Sequence, residues 1–318
     1  MEYFALIGGL FLLLFTGDLL VRGAVALASE LAIPPLLIGL TIVAFGTSAP
    51  ELLIGIQSAL SGLPEIALGN AVGSNIANVL LVLGIPAMIY PICCNQPAIR
   101  RNTIFMLLVS LLFIYMSFQH VLTFWMGFSL FFLVLLFLVY AWYRARAGNG
   151  AVEQLAELEE IEGVPQENWK VAAFIILGLI GLPIGANVTV DAADAIARAW
   201  QVPDAVIGLT IVAFGTSLPE LATTVMAAVR RHEGLAVGNV IGSNIFNILA
   251  VMGVTIMVAD IPVPEHFLRF DLWVMLGSSA LLLPFVLTRS KIGRVSGAGF
   301  TLAYLLYIYA LGVNSGLF

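Results

Sequence analysis

The stretch Phe45-Gly46-Thr47-Ser48-Ala49-Pro50-Glu51 interrupts a segment that is otherwise apolar enough to cross a membrane. Its glycine and proline disfavour a continuous helix. Its carboxylate is costly there, because an unpaired charge in hydrocarbon raises the free energy by at least ~2.5 kcal/mol. The same heptapeptide, with leucine in place of alanine, returns at Phe214 to Glu220. Two such breaks indicate a functional site within the membrane.

The composition is that of a membrane protein. Of the 318 residues, 61% are hydrophobic and 10% are charged, whereas soluble domains carry roughly 25% charged residues. The net charge of -6 says little about partners, because six of the acids lie in one polar connector: Glu153, Glu157, Glu159, Glu160, Glu162 and Glu167. The sequence has no basic face of the kind that binds nucleic acid. We therefore expect a lipid bilayer around the protein and no nucleic-acid partner.

Ten segments are long enough to span a bilayer, at about 20 residues each. Charge clusters or turns rich in proline and glycine separate them, and such turns end membrane helices. The predicted spans are 2–29, 33–61, 65–90, 99–117, 121–144, 169–198, 203–229, 234–259, 268–287 and 293–315. We therefore expect an all-α membrane protein with ten transmembrane helices, of which helices 2 and 7 are broken.

An internal repeat with a fixed offset relates the two halves of the chain. Ile38 to Ser48 recurs unchanged at Ile207 to Ser217, which is 169 residues later, and the Gly-Ser-Asn-Ile motif at Gly73 recurs at Gly242. Each copy lies in a unit of five spans, and an odd number makes the second unit enter the membrane from the opposite side. The halves are therefore predicted to be inverted repeats. In secondary transporters of this architecture, the sites lie near the midplane in broken helices.

The basic residues segregate to one side of the ten-span arrangement. On the connector side are Arg100, Arg101, Arg144, Arg146, Lys170, Arg230, Arg231, Arg289, Lys291 and Arg294, against Arg198 and Arg269 on the other side. By the positive-inside rule the connector is cytoplasmic and both termini face outward. The expected division is an N-terminal five-helix repeat at 1–144, an acidic cytoplasmic connector at 145–168 and a C-terminal five-helix repeat at 169–318.

If the breaks in helices 2 and 7 face each other, they place many oxygen atoms close together near the midplane of the membrane. They bring two carboxylates, Glu51 and Glu220, with hydroxyl groups and backbone carbonyls around Ala44 and Ala213 that lose their i+4 donors. Spans three and eight each add a polar stripe with a spacing of four residues: Asn70, Ser74 and Asn78, and Asn239, Ser243 and Asn247. Such ligands suit Ca²⁺ or Na⁺ rather than zinc or copper. No nucleophile with a base is present, so we expect a protein that is not an enzyme.

Structural interpretations of the same residues remain open. Ser48 and Glu51, with proline between them, match a capping box, in which each side chain bonds a backbone amide of the other. Asn70 and Asn239 lie beside Gly-x-x-x-Gly motifs and can simply bond neighbouring helices. The remaining intramembrane charges are predicted to pair within their own helices, as Asp18 with Arg22 and Asp194 with Arg198.

The motifs Gly46-Thr47-Ser48-Ala49-Pro50-Glu51 and Gly69-Asn70-Ala71-Val72-Gly73-Ser74-Asn75, with their second copies, resemble the two α-repeats of prokaryotic sodium/calcium exchangers, in the Ca²⁺/cation antiporter superfamily. The resemblance implies that Glu51 and Glu220 bind both Ca²⁺ and Na⁺. Further ligands that it implies are Thr47, Thr216, Ser48, Ser217, Ala44, Ala213, Ser74, Ser243, Asn78 and Asn247. Spans one and six resemble the pair that slides to alternate access in that family.

The implied function is antiport in a prokaryotic inner (plasma) membrane, with Na⁺ and Ca²⁺ as substrates and no cofactor. Some members of the family have aspartate where this chain has Asn247, so two carboxylates are expected to balance one Ca²⁺. Competition follows because the same two carboxylates cannot neutralise both ion loads at once. Ca²⁺ export driven by inward Na⁺ is the expected direction. A proton-coupled Ca²⁺ or other cation antiporter is the nearest alternative, and a cation channel is a more distant one.

Overall fold

The computed structural model describes residues 1–147, 165–202 and 213–314. Their α-helices are α1 (Glu2–Glu30), α2 (Pro35–Ile38), α3 (Ala44–Thr47), α4 (Ala49–Leu60), α5 (Pro64–Ala77), α6 (Gly84–Ile89), α7 (Pro97–Ser117), α8 (Phe124–Ala147), α9 (Asn168–Ala199), α10 (Ala213–Gly215), α11 (Leu218–Val229), α12 (Glu233–Phe246), α13 (Gly253–Val258), α14 (Leu272–Ala280), α15 (Leu283–Thr288) and α16 (Arg294–Asn314). In these parts of the chain eight helical spans are long and apolar enough to cross a membrane, and one bent pair makes nine. The protein is an all-helical integral membrane protein.

Besides residue 315 at the end of the predicted tenth span, parts of the predicted connector and of the predicted seventh span lie outside the described residues. They are residues 148–164 of the connector and residues 203–212 at the start of the predicted seventh span. The second half of that span is described and forms α11. The predicted second span is a bent pair, in which α2, the π-helical turn Gly39–Val43 and α3 lead to Ser48, and α4 continues at an angle of 40°.

The bend at Ser48 follows from the residues around it. Ser48 has φ −85° and ψ 4°, which is outside helical geometry, and Pro50 occupies the first turn of α4. Proline tolerates this position because the first-turn amides have no partner within a helix. Ser217 has nearly the same dihedral angles and precedes Pro219 in α11. The two copies of the heptapeptide therefore begin their second half-helices in the same way.

Two π-helical turns that the sequence analysis did not predict lie at the centre of the structure. They are Asn78–Val82 between α5 and α6 and Asn247–Met252 between α12 and α13. Both begin at an asparagine that was predicted as a site residue. Because a π-turn widens the helix by one residue per turn, it redirects the helix beyond it, and such turns are frequent at functional sites.

Four two-residue strands, also unpredicted, join the halves of the chain in two antiparallel ladders. β1 (Ile92–Cys93) pairs with β4 (Lys291–Ile292), and β2 (Val121–Leu122) pairs with β3 (Ile261–Pro262). Each ladder therefore contains one strand from each repeat. The strands occupy turns between spans, so the prediction of an all-α membrane core is not affected by them.

The spans differ in how far they are enclosed by protein. The third and eighth, Pro64–Ile89 and Glu233–Val258, are buried over 78% and 89% of their apolar windows, against 28% for Asn168–Ala199. The central spans approach their neighbours through glycine. A Cβ atom added to Gly242 would lie 2.8 Å from the carbonyl oxygen of Leu40. The Gly-x-x-x-Gly motif at Gly238 and Gly242 therefore does allow close helix packing, as predicted.

Helices α1 and α9 lie against each other at the edge of this core. A Cβ atom at Gly178 would lie 2.6 Å from Cβ of Leu20, so these helices can approach closely only because residue 178 is glycine. The predicted pairs within each helix are confirmed, with Asp18 and Arg22 at 3.5 Å and Asp194 and Arg198 at 2.8 Å. Asp18 also forms an ion pair with Arg230, which follows α11.

Candidate ion-binding site

Two carboxylates lie in the interior, one from each broken helix. Glu51 and Glu220 occupy the first turns of α4 and α11, and neither has any exposed surface. The hydroxyl of Ser48 in the first break donates to Oε1 of Glu220 at 3.3 Å, which links the two breaks directly. Neither carboxylate forms an ion pair within the described ranges. The two acids therefore share one enclosed polar region.

Hydroxyl groups of each half approach those of the other. Oγ1 of Thr47 lies 3.5 Å from Oγ of Ser243, and Oγ of Ser74 lies 3.4 Å from Oγ1 of Thr216. These two contacts are equivalent under the sequence repeat. The structure thus brings the predicted hydroxyls together in two matching pairs beside the carboxylates.

The predicted asparagines lie at the starts of the two π-turns and are fully enclosed. Nδ2 of Asn247 donates to Oδ1 of Asn75 at 3.1 Å, whereas neither amide atom of Asn78 has a hydrogen-bond partner. Asn75 and Asn244 donate to each other's backbone carbonyls at 3.3 and 3.2 Å. Sequence reasoning did not single out Asn75 and Asn244, although both belong to the repeated Gly-Ser-Asn-Ile motif.

An unusual number of buried oxygens in this region lack partners. Among the described residues they are both carboxylate oxygens of Glu51, Oε2 of Glu220, Oγ of Ser217 and the side-chain oxygens of Asn78, Asn244 and Asn247. Buried polar atoms are hydrogen-bonded in the great majority of cases. Unpartnered carboxylate, amide and hydroxyl oxygens are the donor set that Ca²⁺ and Na⁺ accept, so the geometry fits a hard cation.

The capping-box interpretation of Ser48 and Glu51 is wrong. No side-chain capping hydrogen bond forms at Ser48 or at Ser217, and the hydroxyl of Ser48 is directed to Glu220. The expectation that Ala44 offers a free carbonyl is also wrong, because its oxygen accepts the amide of Ser48 at 3.0 Å. Pro50 has no amide hydrogen, so the carbonyl that loses its i+4 donor is that of Gly46.

Asn239 combines the structural and the site interpretations. Its Nδ2 donates to Oγ1 of Thr224 at 3.0 Å and to the carbonyl of Glu220 at 3.3 Å, while its Oδ1 lies 3.4 Å from the hydroxyl of Thr47. It therefore links α12 to α11 and also orients a hydroxyl beside the carboxylates. Ala213 starts α10 at the edge of the described range, and only its backbone is described.

Comparisons with known proteins agree with this architecture. The family model described as "Sodium/calcium exchanger protein" matches residues 1–143 and 170–313. The chain is 38% identical over 313 residues to the putative antiporter CaxA of Alkalimonas amylolytica, covering 95% of this chain and 96% of that protein. It is 36% identical over 315 residues to the inner membrane protein YrbG of Escherichia coli, covering 96% and 95%.

A solved structure gives the same result. The sodium-calcium exchanger NCX_Mj, soaked with Na⁺ and Sr²⁺, is similar with a TM-score of 0.83 at 33% identity, and 97% of each chain is covered. The chain belongs to the sodium/calcium exchanger family. Because the members of this family are exchangers, the protein is a transporter and not an enzyme.

Replacing Thr224 with valine is expected to destabilise the protein. The substitution keeps the shape but removes the acceptor of the Asn239 amide, and a buried donor without a partner costs about 1–3 kcal/mol. The neighbouring Thr223→Val is the matched control, because the hydroxyl of Thr223 bonds only Pro219 of its own helix. Thermal unfolding in detergent measures both variants. Equal midpoints for the two would contradict the role given to Asn239.

Proposed function

We propose that the protein is a secondary active antiporter that exchanges Na⁺ for Ca²⁺ by alternating access at the site between its two breaks. The observation that carries the proposal is the pair Glu51 and Glu220, buried without an ion pair among unpartnered oxygens. A charged group in such a place is tolerated when it binds a metal ion. The relation to NCX_Mj, whose structures were obtained with Na⁺, Ca²⁺ and Sr²⁺, supports this choice of ions.

The proposed ligands surround the two carboxylates. They are Glu51, Glu220, Thr47, Thr216, Ser48, Ser217, Ala44, Ala213, Ser74, Ser243, Asn78 and Asn247. Two carboxylates balance the charge of one Ca²⁺, and the same pair is shared by several Na⁺ ions in the alternative state. The two loads therefore compete for one site. The carbonyl of Ala44 accepts both the amide of Ser48 and the hydroxyl of Thr47, so it contributes to the site when the Thr47 hydroxyl turns away from it.

Alternating access is proposed to involve α1 and α9 moving across the rest of the helices. The two helices pack closely on each other through glycines, and both are much less enclosed than the central spans. A filled site neutralises Glu51 and Glu220, which lowers the barrier to moving an apolar helix past them. Ca²⁺ export driven by inward Na⁺ is the proposed direction.

We also propose the complete topology of ten transmembrane helices in two inverted five-helix repeats, with helices 2 and 7 broken. The strand ladders support this topology. Two paired strands must lie on the same membrane surface, so an even number of spans must separate them along the chain. Between Leu122 and Ile261 the described chain contains three full spans, α8, α9 and the span Glu233–Val258. A return to the same surface needs a fourth crossing, and we assign this crossing to the predicted seventh span, of which α11 is the described half.

The proposed division is 1–144, 145–168 and 169–318, with the acidic connector in the cytoplasm and both termini outside. The inner membrane is the proposed location, since YrbG is an inner membrane protein of a bacterium. The ladders β1–β4 and β2–β3 then lie on the cytoplasmic and outer surfaces respectively.

Cysteine labelling tests this orientation. In a Cys93→Ser, Cys94→Ser background, Gln119→Cys is expected to react with a membrane-impermeant maleimide added to intact cells, since residue 119 is an exposed outer turn. Ser290→Cys, in an exposed turn of the opposite surface, is expected to react only after permeabilisation. The reverse pattern would invert the topology, and labelling of both from outside would refute the span count.

A gradient experiment tests the function. Proteoliposomes loaded with Na⁺ are expected to take up Ca²⁺ when diluted into Na⁺-free medium, and uptake falls to background when Na⁺ is equal on both sides. A pH gradient without Na⁺ should drive no uptake, because the carboxylates exchange one metal load for another. Uptake that follows only the pH gradient would establish the proton-coupled alternative. Ca²⁺ flux without any counter-ion would instead establish a channel.

Neutralising either carboxylate is expected to abolish exchange. Glu51→Gln and Glu220→Gln keep the volume but leave one negative charge, which cannot balance Ca²⁺. Ca²⁺ at one hundred times its Kd should stabilise the wild-type protein by about 2.7 kcal/mol and stabilise neither variant. Glu65→Gln, at the exposed start of α5, is the control and should behave as wild type. Retained exchange in either site variant would remove these residues from the mechanism.

A further inference from the structure

Two adjoining cavities open on the connector side of the helices, apart from the residues of the ion site. The first encloses about 360 Å³ and is lined by polar and basic residues that include Gln96, Arg100, Arg101 and Arg289. The second encloses about 420 Å³ between α7 and α8 and is lined mainly by apolar side chains, among them Leu136. Arg101 and Ile104 line both cavities, so the two form one groove, which we call the α7–α8 groove.

The polar end of the α7–α8 groove carries positive charge only. Its lining includes three arginines and no carboxylate, and none of the three forms an ion pair within the described ranges. Nε of Arg101 is buried and lacks a hydrogen-bond partner, while its guanidinium lies 5.5 Å above the ring of Tyr140. An arginine that lies over an aromatic ring can present the N–H edge of its guanidinium to an anion such as a phosphate.

The apolar end of the groove has the shape and position that an acyl chain requires. Phe105, Leu108 and Leu133 extend the groove from Ile104 along the length of α7 and α8, towards the interior of the bilayer. Leu108 and Leu136 are exposed on this surface. Polar and apolar parts thus follow each other in the order of a lipid headgroup and its chain.

We propose that the α7–α8 groove binds one anionic glycerophospholipid from the leaflet that faces the connector. Arg100, Arg101 and Arg289 hold its phosphate, and one acyl chain fills the apolar cavity. A free phosphate would leave the apolar cavity uncovered. The acids of the connector could meet the arginines but could not fill that cavity, so the lipid accounts for both halves of the groove.

Native mass spectrometry of the purified full chain tests the proposal. After incubation with palmitoyl-oleoyl phosphatidylglycerol or phosphatidylcholine, the wild type is expected to retain one phosphatidylglycerol in preference. Removing one arginine, as in Arg101→Gln or Arg289→Gln, should reduce that preference about fivefold, the loss expected for one basic residue near an anionic lipid. Arg294→Gln is the matched control, because Arg294 lies on the same membrane surface and lines neither cavity.

A second pair of variants separates a lipid from a phosphate or a connector contact. Leu136→Trp narrows the apolar cavity and should lower phosphatidylglycerol retention, whereas Leu135→Trp, on the same helix but outside the groove, should not. Thermal unfolding establishes that each variant is folded. Retention unchanged in Arg101→Gln and Arg289→Gln would overturn the proposal. Displacement of the lipid by glycerol 3-phosphate, with Leu136→Trp retaining the lipid normally, would also overturn it and reduce the groove to a phosphate site.

Discussion

The structure depends on holding two carboxylates inside an apolar bundle of helices. The positions of Glu51 and Glu220 in the chain lower the free-energy cost of burying their charges, since each residue lies in the first turn of a half-helix. The amides of a first turn carry the positive end of the helix dipole and favour negative charge. That benefit exists at depth only because the helices are broken. The glycine, serine and proline of the repeated heptapeptide are therefore needed for the carboxylates, because they break the helix and so create the first turn in which each carboxylate lies.

The two halves have equivalent residues but form different hydrogen bonds. Asn75 and Asn244 bond each other symmetrically, at 3.3 and 3.2 Å. Ser48 donates to Glu220, while its counterpart Ser217 and the carboxylate of Glu51 have no partner in the described part of the chain. Nearly identical chemistry in the two halves means that the mirrored arrangement has a similar energy. A site with two arrangements of similar energy is the kind of bistable element on which conformational switching depends.

The sequence predicted the eight spans and the bent second helix that the described residues contain, because those features depend on local composition. The length of an apolar segment and the positions of proline and charged residues can be read from a few neighbouring residues. The repeat, at an offset of 169 residues, provides a second copy of the same pattern. The sequence also predicted that Glu51, Ser48 and Glu220 would lie close together. Two copies of one polar motif in a membrane avoid contact with lipid when they pack against each other. The π-turns and the strand ladders were missed, because both are fixed by tertiary packing between distant segments.

Two errors in the predicted site have the same physical origin. A capping box was expected at Ser48, and a free carbonyl at Ala44, because local rules for isolated helices favour both. In the fold, the hydroxyl of Ser48 is oriented by Glu220 of the other half, to which it donates, and within the described residues it forms no capping bond in its own helix. Asn75 and Asn244 were missed for a related reason. Their importance comes from lying opposite each other, which the repeat alone does not reveal.

The positions of the contacts between repeats suggest which parts move together. One ladder, β1–β4, joins the halves on the connector surface, and the other, β2–β3, joins them on the opposite surface. The bonds between Asn75 and Asn244 join them at the centre. The helices that carry these contacts are therefore braced at three depths and resist internal shear. Helices α1 and α9 carry none of the three, and they pack closely on each other through glycine. The proposed motion of that pair across the braced helices leaves all three contacts between the repeats intact, and the ion pair of Asp18 with Arg230 is one contact that it has to break.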